Sequence, residues 1–268
     1  MTVPHRRPRV DWGKYVTWAV LAWLFTPIVA MVAFSFNDIT GRHNVRWEGV
    51  TLKWYGQAFA YPDLNAALLN TALVGGLTML IAGTVGSLLG LALGRHRFHG
   101  QRATTLVMVA AVCAPEVVVG AALLSLFLTV NVATGLVTTV LAHVMFTVSF
   151  VAITVRARAL TLDPRLEEAA RDLGAGPWAT LRLVTLPMLS PAIMAGGLLA
   201  LALSVDDFII TTFVSGEMTT FPLWIWGATR LGIPPQVNVM GTLIFAVGGL
   251  LALTNALLAR SRRAGRGL

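Results

Sequence analysis

A chain of 268 residues that is 56% hydrophobic and only 12% charged has too little polar surface to cover itself in water, since soluble domains carry roughly 25% charged residues. That excludes an ordinary soluble enzyme or binding domain and makes a bilayer the natural solvent. The net charge of +8 does not point to nucleic acid, because the cations sit in short clusters between long apolar runs and line no single basic face. The single cysteine, Cys113, lies inside an apolar run and has no intrachain partner.

A helix that crosses the ~30 Å hydrocarbon core needs about 20 mostly apolar residues, and six stretches meet this. Residues 1–15 form a basic N-terminal segment. Val16–Phe36 follows; its apolar run exceeds the roughly 7–15 residues of a signal-peptide core and no A-x-A cleavage site is clear, so it reads as an uncleaved anchor. Leu68–Gly94 is the second span. Its glycines Gly86, Gly90 and Gly94 recur at every fourth position, a pattern that lets another helix backbone approach closely. Thr104–Thr129 is the third and carries Pro115-Glu116. Thr134–Val155 is the fourth; its lone His143 reads as hydrogen-bonded structure in an apolar helix and not as a ligand. A polar segment, 156–190, separates this from the fifth span, Pro191–Ser215, which holds Asp206 and Asp207. Val237–Ala259 is the sixth, and residues 260–268 form a basic tail, so the transmembrane domain is expected over 16–259. Continuous apolar runs favour helices over strands, because lipid leaves no partner for an open sheet edge. The predicted fold class is therefore all-α, polytopic, with six spans. Trp12, Trp47, Trp54, Trp224 and Trp226 flank these spans and read as interfacial belt residues.

The loop charges fix an orientation. Sixteen of the 20 Lys and Arg residues fall at the two termini, at Arg95–Arg102 and in the 156–190 segment; Arg42, Arg46, Lys53 and Arg230 fall on the other side. The positive-inside rule makes the first side cytoplasmic. Both termini then lie inside, which requires an even number of spans.

The 156–190 segment is unlike the spans. Asp163-Pro164 is a helix start, since Asp accepts from free backbone N–H groups and Pro suits the first helical position. Arg165–Leu173 reads as a short amphipathic helix with Leu166, Ala169, Ala170 and Leu173 on its apolar side, and with Glu167, Glu168 and Arg171 on its polar side. Gly174 is a C-terminal stop. Gly176-Pro177 begins a second short helix, Trp178–Leu186, expected to end at Pro187. These residues alone leave two readings open: a lever gripped by a soluble partner, or an interfacial helix lying on the membrane.

The order Glu168-Ala169-Ala170, three residues, Gly174, nine residues, Val184, one residue, Leu186-Pro187 resembles the EAA loop of ABC importer permeases, with Val184 in place of isoleucine as the one departure. Asn70-Thr71-Ala72-Leu73, at the start of the second span, is similar to the opening of the permease core in that family. The resemblance implies a type I ABC importer permease (MetI-like) fold. It further implies that 156–190 is a coupling loop, docked on an ATP-binding subunit through Glu168, Ala169, Ala170, Gly174, Leu186 and Pro187. No G-x-x-x-x-G-K-[ST] loop occurs, so the chain has no phosphate cradle of that type. The implied partners are a second permease, an ABC ATPase dimer that binds ATP and Mg, and a periplasmic or lipid-anchored solute-binding protein. The implied location is the bacterial inner membrane; this chain itself would hold no cofactor and catalyse no reaction.

What is moved must be read from polar groups within the spans. Intramembrane acids are costly and are functional candidates by default. They are Glu116, roughly 18 Å into the third span, and Asp206 and Asp207, roughly 22 Å into the fifth, at ~1.5 Å rise per residue. No Lys or Arg falls inside a span to pair with them. A water-filled pathway for a cationic solute would suit such acids. Adjacent aspartates point about 100° apart on a helix, so at most one faces a pathway unless the helix is broken there. The run Leu203 to Gly216, together with Pro222-Leu223-Trp224-Ile225-Trp226 and Gly232 to Asn238, resembles spermidine/putrescine importer permeases, specifically the second of two that pair as a heterodimer. Phe34-Ser35-Phe36-Asn37 and Pro115-Glu116 fit the same subfamily. The alternatives are a permease of the same build for an opine, ferric ion, thiamine or phosphonate, and an ion-coupled secondary transporter. A membrane enzyme is disfavoured, because no nucleophile–base pair and no HExxH motif occur.

Overall fold

The computed structural model describes residues 12–40, 44 and 46–264. Most of the predicted N-terminal segment and the end of the basic tail, with Arg6, Arg7, Arg9, Arg42 and Arg266, lie outside the described residues. Among those described there is no strand, only an isolated antiparallel bridge between Asn37 and Val50. The helices are α1 (Trp12–Phe34), α2 (Lys53–Gly56), α3 (Pro62–Arg95), α4 (Gln101–Cys113), α5 (Glu116–Thr129), α6 (Leu136–Thr161), α7 (Arg165–Asp172), α8 (Pro177–Thr180), α9 (Leu186–Asp206), α10 (Ile209–Val214), α11 (Phe221–Leu231) and α12 (Pro235–Ala264). A π-helical turn, Leu181–Thr185, joins α8 to α9 without interruption. Residues 62–226 form one compact unit, and residues 1–61 with 227–268 form another.

Four helical runs among the described residues are long and apolar enough to cross a bilayer: α1, α3, α6 and the continuous Pro177–Asp206. The predicted third span is broken. α4 and α5 meet at an angle of 107°. The cause is Pro115, which has no N–H and forces Ala114 into an extended conformation (φ −69°, ψ 134°). Glu116 therefore stands in the first turn of a new helix, not midway along a straight one, and its depth cannot be counted along a single axis. The sixth predicted span falls on α12, whose apolar part is Pro235–Leu250.

The larger unit is built on α3, α6 and α9. The predicted glycine seam lies between α3 and α6. A Cβ at Gly90 would stand 2.5 Å from the carbonyl oxygen of Ala152, one at Gly86 2.7 Å from Val151 Cβ, and one at Gly94 2.7 Å from Ala159 Cβ. Gly196 brings α9 close to Val151 as well, a Cβ there standing 3.1 Å from Val151 Cγ1. Ala82, Val151, Val155, Ala159, Leu189 and Ala200 fill the space between the three helices. Close backbone approach through small residues drives association where lipid removes the hydrophobic incentive between helices. Gly90→Ala is expected to lower the melting temperature of the detergent-solubilised protein, because the clash is with backbone that cannot yield; overpacking costs about 1–3 kcal/mol. Gly76→Ala, where nothing lies within 4 Å, is the control and should leave it unchanged.

A second core joins α5, α6 and α10 through Leu123, Phe127, Ala142, Phe146, Ile210 and Val214. Thr138 at the start of α6 donates to the carbonyl of Val214 at 2.8 Å, which pins the end of α10 to the start of α6. Asn70 and Thr71, the residues that open the permease-like segment, also hold a distant loop: Asn70 Nδ2 donates to Thr219 O at 2.9 Å, and the Phe221 N–H donates to Thr71 Oγ1 at 2.8 Å. In the smaller unit α1 packs on α12, where a Cβ at Gly241 would meet Met31 Sδ at 2.5 Å. α1 has no buried residue, and Trp12, Trp18 and Trp23 are exposed on it.

Candidate functional site

The 156–190 segment forms a helix, a sharp turn and a second helix, as expected up to a point. Asp163 Oδ1 accepts from the Arg165 N–H at 3.0 Å and so caps α7. Leu173 closes the helix, and Gly174 follows at φ +87°, a left-handed conformation that glycine adopts without strain. The second helix departs from expectation: it does not stop at Pro187. Pro187 lacks the N–H that would bond one turn back, and its ring crowds the carbonyl of Leu183. The chain opens that turn into the π segment and continues into α9, the Leu186 N–H donating to Leu181 O. The second short helix is thus continuous with α9.

The faces of α7 are also not where an ordinary amphipathic helix would put them. No residue of α7 is buried. Leu166 is exposed, Leu173 is 89% exposed, and Trp178 just beyond is 72% exposed. Glu168 and Ala169 are exposed and Ala170 is half-buried. Glu167 instead faces the body of the protein. Its Oε1 accepts from Thr185 Oγ1 at 2.9 Å and lies 3.3 Å from Arg95 Nη2 at the end of α3. Leu186 is half-buried and Pro187 exposed. Of the six predicted docking residues, Glu168, Ala169, Gly174 and Pro187 therefore lie on an open surface that also presents apolar side chains.

The second polar site lies in the fifth span, and here the helix is broken. α9 ends at Asp206, Asp207 is extended (φ −65°, ψ 122°), and α10 begins at Ile209. The break separates the adjacent acids. Asp206 is exposed, whereas Asp207 is buried. Asp207 folds back over the start of α10: Oδ2 accepts from the Thr211 N–H at 2.8 Å and from Thr211 Oγ1 at 2.7 Å, and Oδ1 accepts from the Ile210 N–H at 3.4 Å. It thus satisfies N–H groups that a new helix leaves without partners. His143 on α6 completes the cluster, with Nε2 2.9 Å from Thr211 Oγ1 and 3.2 Å from Asp207 Oδ2, and Nδ1 2.7 Å from Ser204 Oγ. One arrangement satisfies every partner: the Thr211 hydroxyl donates to Asp207, the His143 Nε2–H to Thr211 Oγ1, and Ser204 to Nδ1. The expectation that His143 is hydrogen-bonded structure agrees with this geometry. Glu116 is half-buried at the start of α5. Two residues beyond Asp206, the Phe208 ring lies 5.3 Å from that of Trp226.

Sequence reasoning missed Ser204 and Thr211 as partners of His143, and missed the link between Arg95, Glu167 and Thr185. In each case the partners are separated by tens of residues, and no local pattern announces them.

Residues 86–263 match the family model described as binding-protein-dependent transport system inner membrane component. The chain belongs to that family. The spermidine/putrescine transport system permease protein PotC of Shigella flexneri is 32% identical over 256 residues, covering 95% of this chain and 96% of that one. The putrescine transport system permease protein PotI of Escherichia coli K12 is 33% identical over 251 residues, covering 91% and 89%. Among solved structures, a chain of a bacterial ABC transporter that imports the acidic polysaccharide alginate aligns with a TM-score of 0.65 at 17% identity, over 96% of this chain and 99% of that one. A chain of the MetNI methionine ABC transporter, in an inward-facing conformation, aligns at 0.57 and 18% identity over 75% and 94%. At such low identities these two show a shared fold. This permease is accordingly a multi-pass, all-helical subunit of an ABC importer. The matched region begins within α3 and takes in both the 156–190 loop and the broken fifth span.

Proposed function

We propose that this permease forms half of the translocation pathway for a small cationic solute, a polyamine of the spermidine/putrescine class, and that it catalyses nothing itself. ATP is bound and hydrolysed by a separate ATPase dimer. The 156–190 loop docks on one ATPase subunit on the cytoplasmic side, where both termini also lie. A second permease supplies the other half of the pathway, and a periplasmic or lipid-anchored binding protein delivers the solute.

The observation that carries the docking reading is the outward apolar face of α7. A helix that served only its own subunit would turn Leu166 and Leu173 inward and leave Glu167 in solvent; here the arrangement is reversed. An exposed apolar patch beside polar groups is the mark of an interaction site. An interfacial helix would also bury such a face in lipid. The continuous path from the loop into α9 favours instead a lever that transmits motion.

The solute class is supported by Asp206. It is an exposed acid at the break of an apolar span, with an aromatic pair two residues on, and cations are attracted both to carboxylates and to aromatic faces. The names of the relatives similar over nearly the whole chain point to the same class. In the proposed cycle, ATP-driven closure of the ATPase pair draws the coupling loops together and opens the pathway outward; hydrolysis resets it inward.

The test is uptake of labelled spermidine and putrescine by the assembled complex in proteoliposomes, with and without ATP. ATP-dependent accumulation that unlabelled polyamine suppresses is the expected result. No polyamine accumulation, with ATP-dependent accumulation of labelled thiamine, ferric ion or a phosphonate in its place, would replace the solute. Accumulation by this chain alone would reject the ATPase-driven reading.

A further inference from the structure

We infer that Glu167 is a positioning residue: clasped between Arg95 and Thr185, it is the strut through which movement of α7 enters the helical core. The inference rests on the docking reading of the 156–190 loop.

Three observations carry it. First, α7 buries no residue fully, so little hydrophobic packing holds it. Second, the polar tie is specific and partly shielded. Glu167 Oε1 accepts from Thr185 Oγ1 and lies 3.3 Å from Arg95 Nη2, with side-chain exposures of 14% for Arg95 and 22% for Glu167, while Thr185 is buried. Third, the tie gathers the ends of all three core helices. Arg95 is the last residue of α3, its Nη1 donates at 3.2 Å to Leu162 O just past the end of α6, and Thr185 closes the π turn that feeds α9. Arg serves here because its planar fork holds Nη1 and Nη2 in fixed geometry toward two separate acceptors. Without the clasp, α7 hangs on its two flanking loops, one of which turns at Gly174. A push on α7 would then swing the helix and leave the core where it was.

The test uses the complex that co-purifies with the tagged chain, reconstituted in proteoliposomes. Glu167→Leu should leave assembly intact and cut spermidine imported per ATP hydrolysed by roughly three- to tenfold, the range that residues along a coupling route command. Glu167→Gln, which keeps an acceptor for Thr185, should fall between this and the wild type. A second readout is independent of the solute. Spin labels at His96→Cys and Asp172→Cys, in a Cys113→Ser background, should keep one narrow distance distribution through nucleotide-free and ATP-bound states with Glu167 present, and broaden or shift with ATP in Glu167→Leu. An unchanged import-to-hydrolysis ratio with an unchanged distribution overturns the clasp. If Gly174→Asp uncouples under the same conditions, the docking reading survives that result; if Gly174→Asp is silent as well, both fall.

Discussion

Asp207→Leu is expected to destabilise the detergent-solubilised protein severely, whereas Asp206→Asn should leave its melting temperature unchanged and reduce spermidine uptake. The two residues are neighbours in sequence but differ in kind. Removing the Asp207 carboxylate takes away the acceptor of the Thr211 N–H and hydroxyl, within a buried cluster. Each buried donor left without an acceptor costs about 1–3 kcal/mol, a large part of the margin on which a fold stands. Asp206 is exposed. Its amide replacement keeps shape and loses charge. Loss of one contact to a cationic solute, on the order of 1.4 kcal/mol, lowers affinity roughly tenfold. The loss should appear as a raised half-saturation concentration at near-normal maximal rate. Equal thermal stability in both variants, with equal uptake defects, would move Asp207 out of the scaffold and into the pathway.

The contrast between these aspartates marks what the sequence reveals and what it hides. Apolar length located α1, α3 and α6, because each such span must match the bilayer by itself, but it read straight across the breaks in the third and fifth predicted spans. The glycine repeat in α3 was equally legible, since its spacing and its packing follow from one helix geometry. The break at Asp207 was not. No Gly or Pro interrupts Leu203–Phe213, and the kink is held by His143 and Ser204, whose meeting is tertiary. The local signal that could have found it is an Asp followed by a run that restarts a helix. Pro115 did announce the bend between α4 and α5, yet hydropathy alone read across it. The faces of α7 show a different limit. Amphipathic spacing sorted α7 into an apolar side and a polar side but named no neighbour for either: Leu166 and Leu173 stay exposed, while Glu167 turns to Arg95 and Thr185. Pro187 illustrates the same point on a smaller scale. Proline forbids the regular bond but does not decide between ending a helix and widening it, and packing of the following α9 against α3 and α6 decided for widening.

Gly174→Asp is expected to abolish stimulation of ATP hydrolysis by solute-loaded binding protein while leaving basal hydrolysis and assembly in place. Gly174 sits at φ +87°, and a Cβ there meets nothing within 4 Å. The fold itself thus has room for a side chain, and Asp is among the residues that visit the left-handed region most readily, so the strain stays near ~1 kcal/mol. What changes is the outer surface. A carboxylate would project beside Leu173, itself 89% exposed, into the interface where the ATPase is proposed to seat. A charge forced into an apolar contact without a partner costs several kcal/mol, enough to unseat a lever whose grip relies on a few apolar side chains. Gly174→Ala carries the strain without the charge and should retain most of the stimulation. The pair therefore separates local backbone damage from loss of the interface. Full stimulation in an assembled Gly174→Asp complex would mean that no partner covers this turn, and the exposed face of α7 would then belong to the lipid surface.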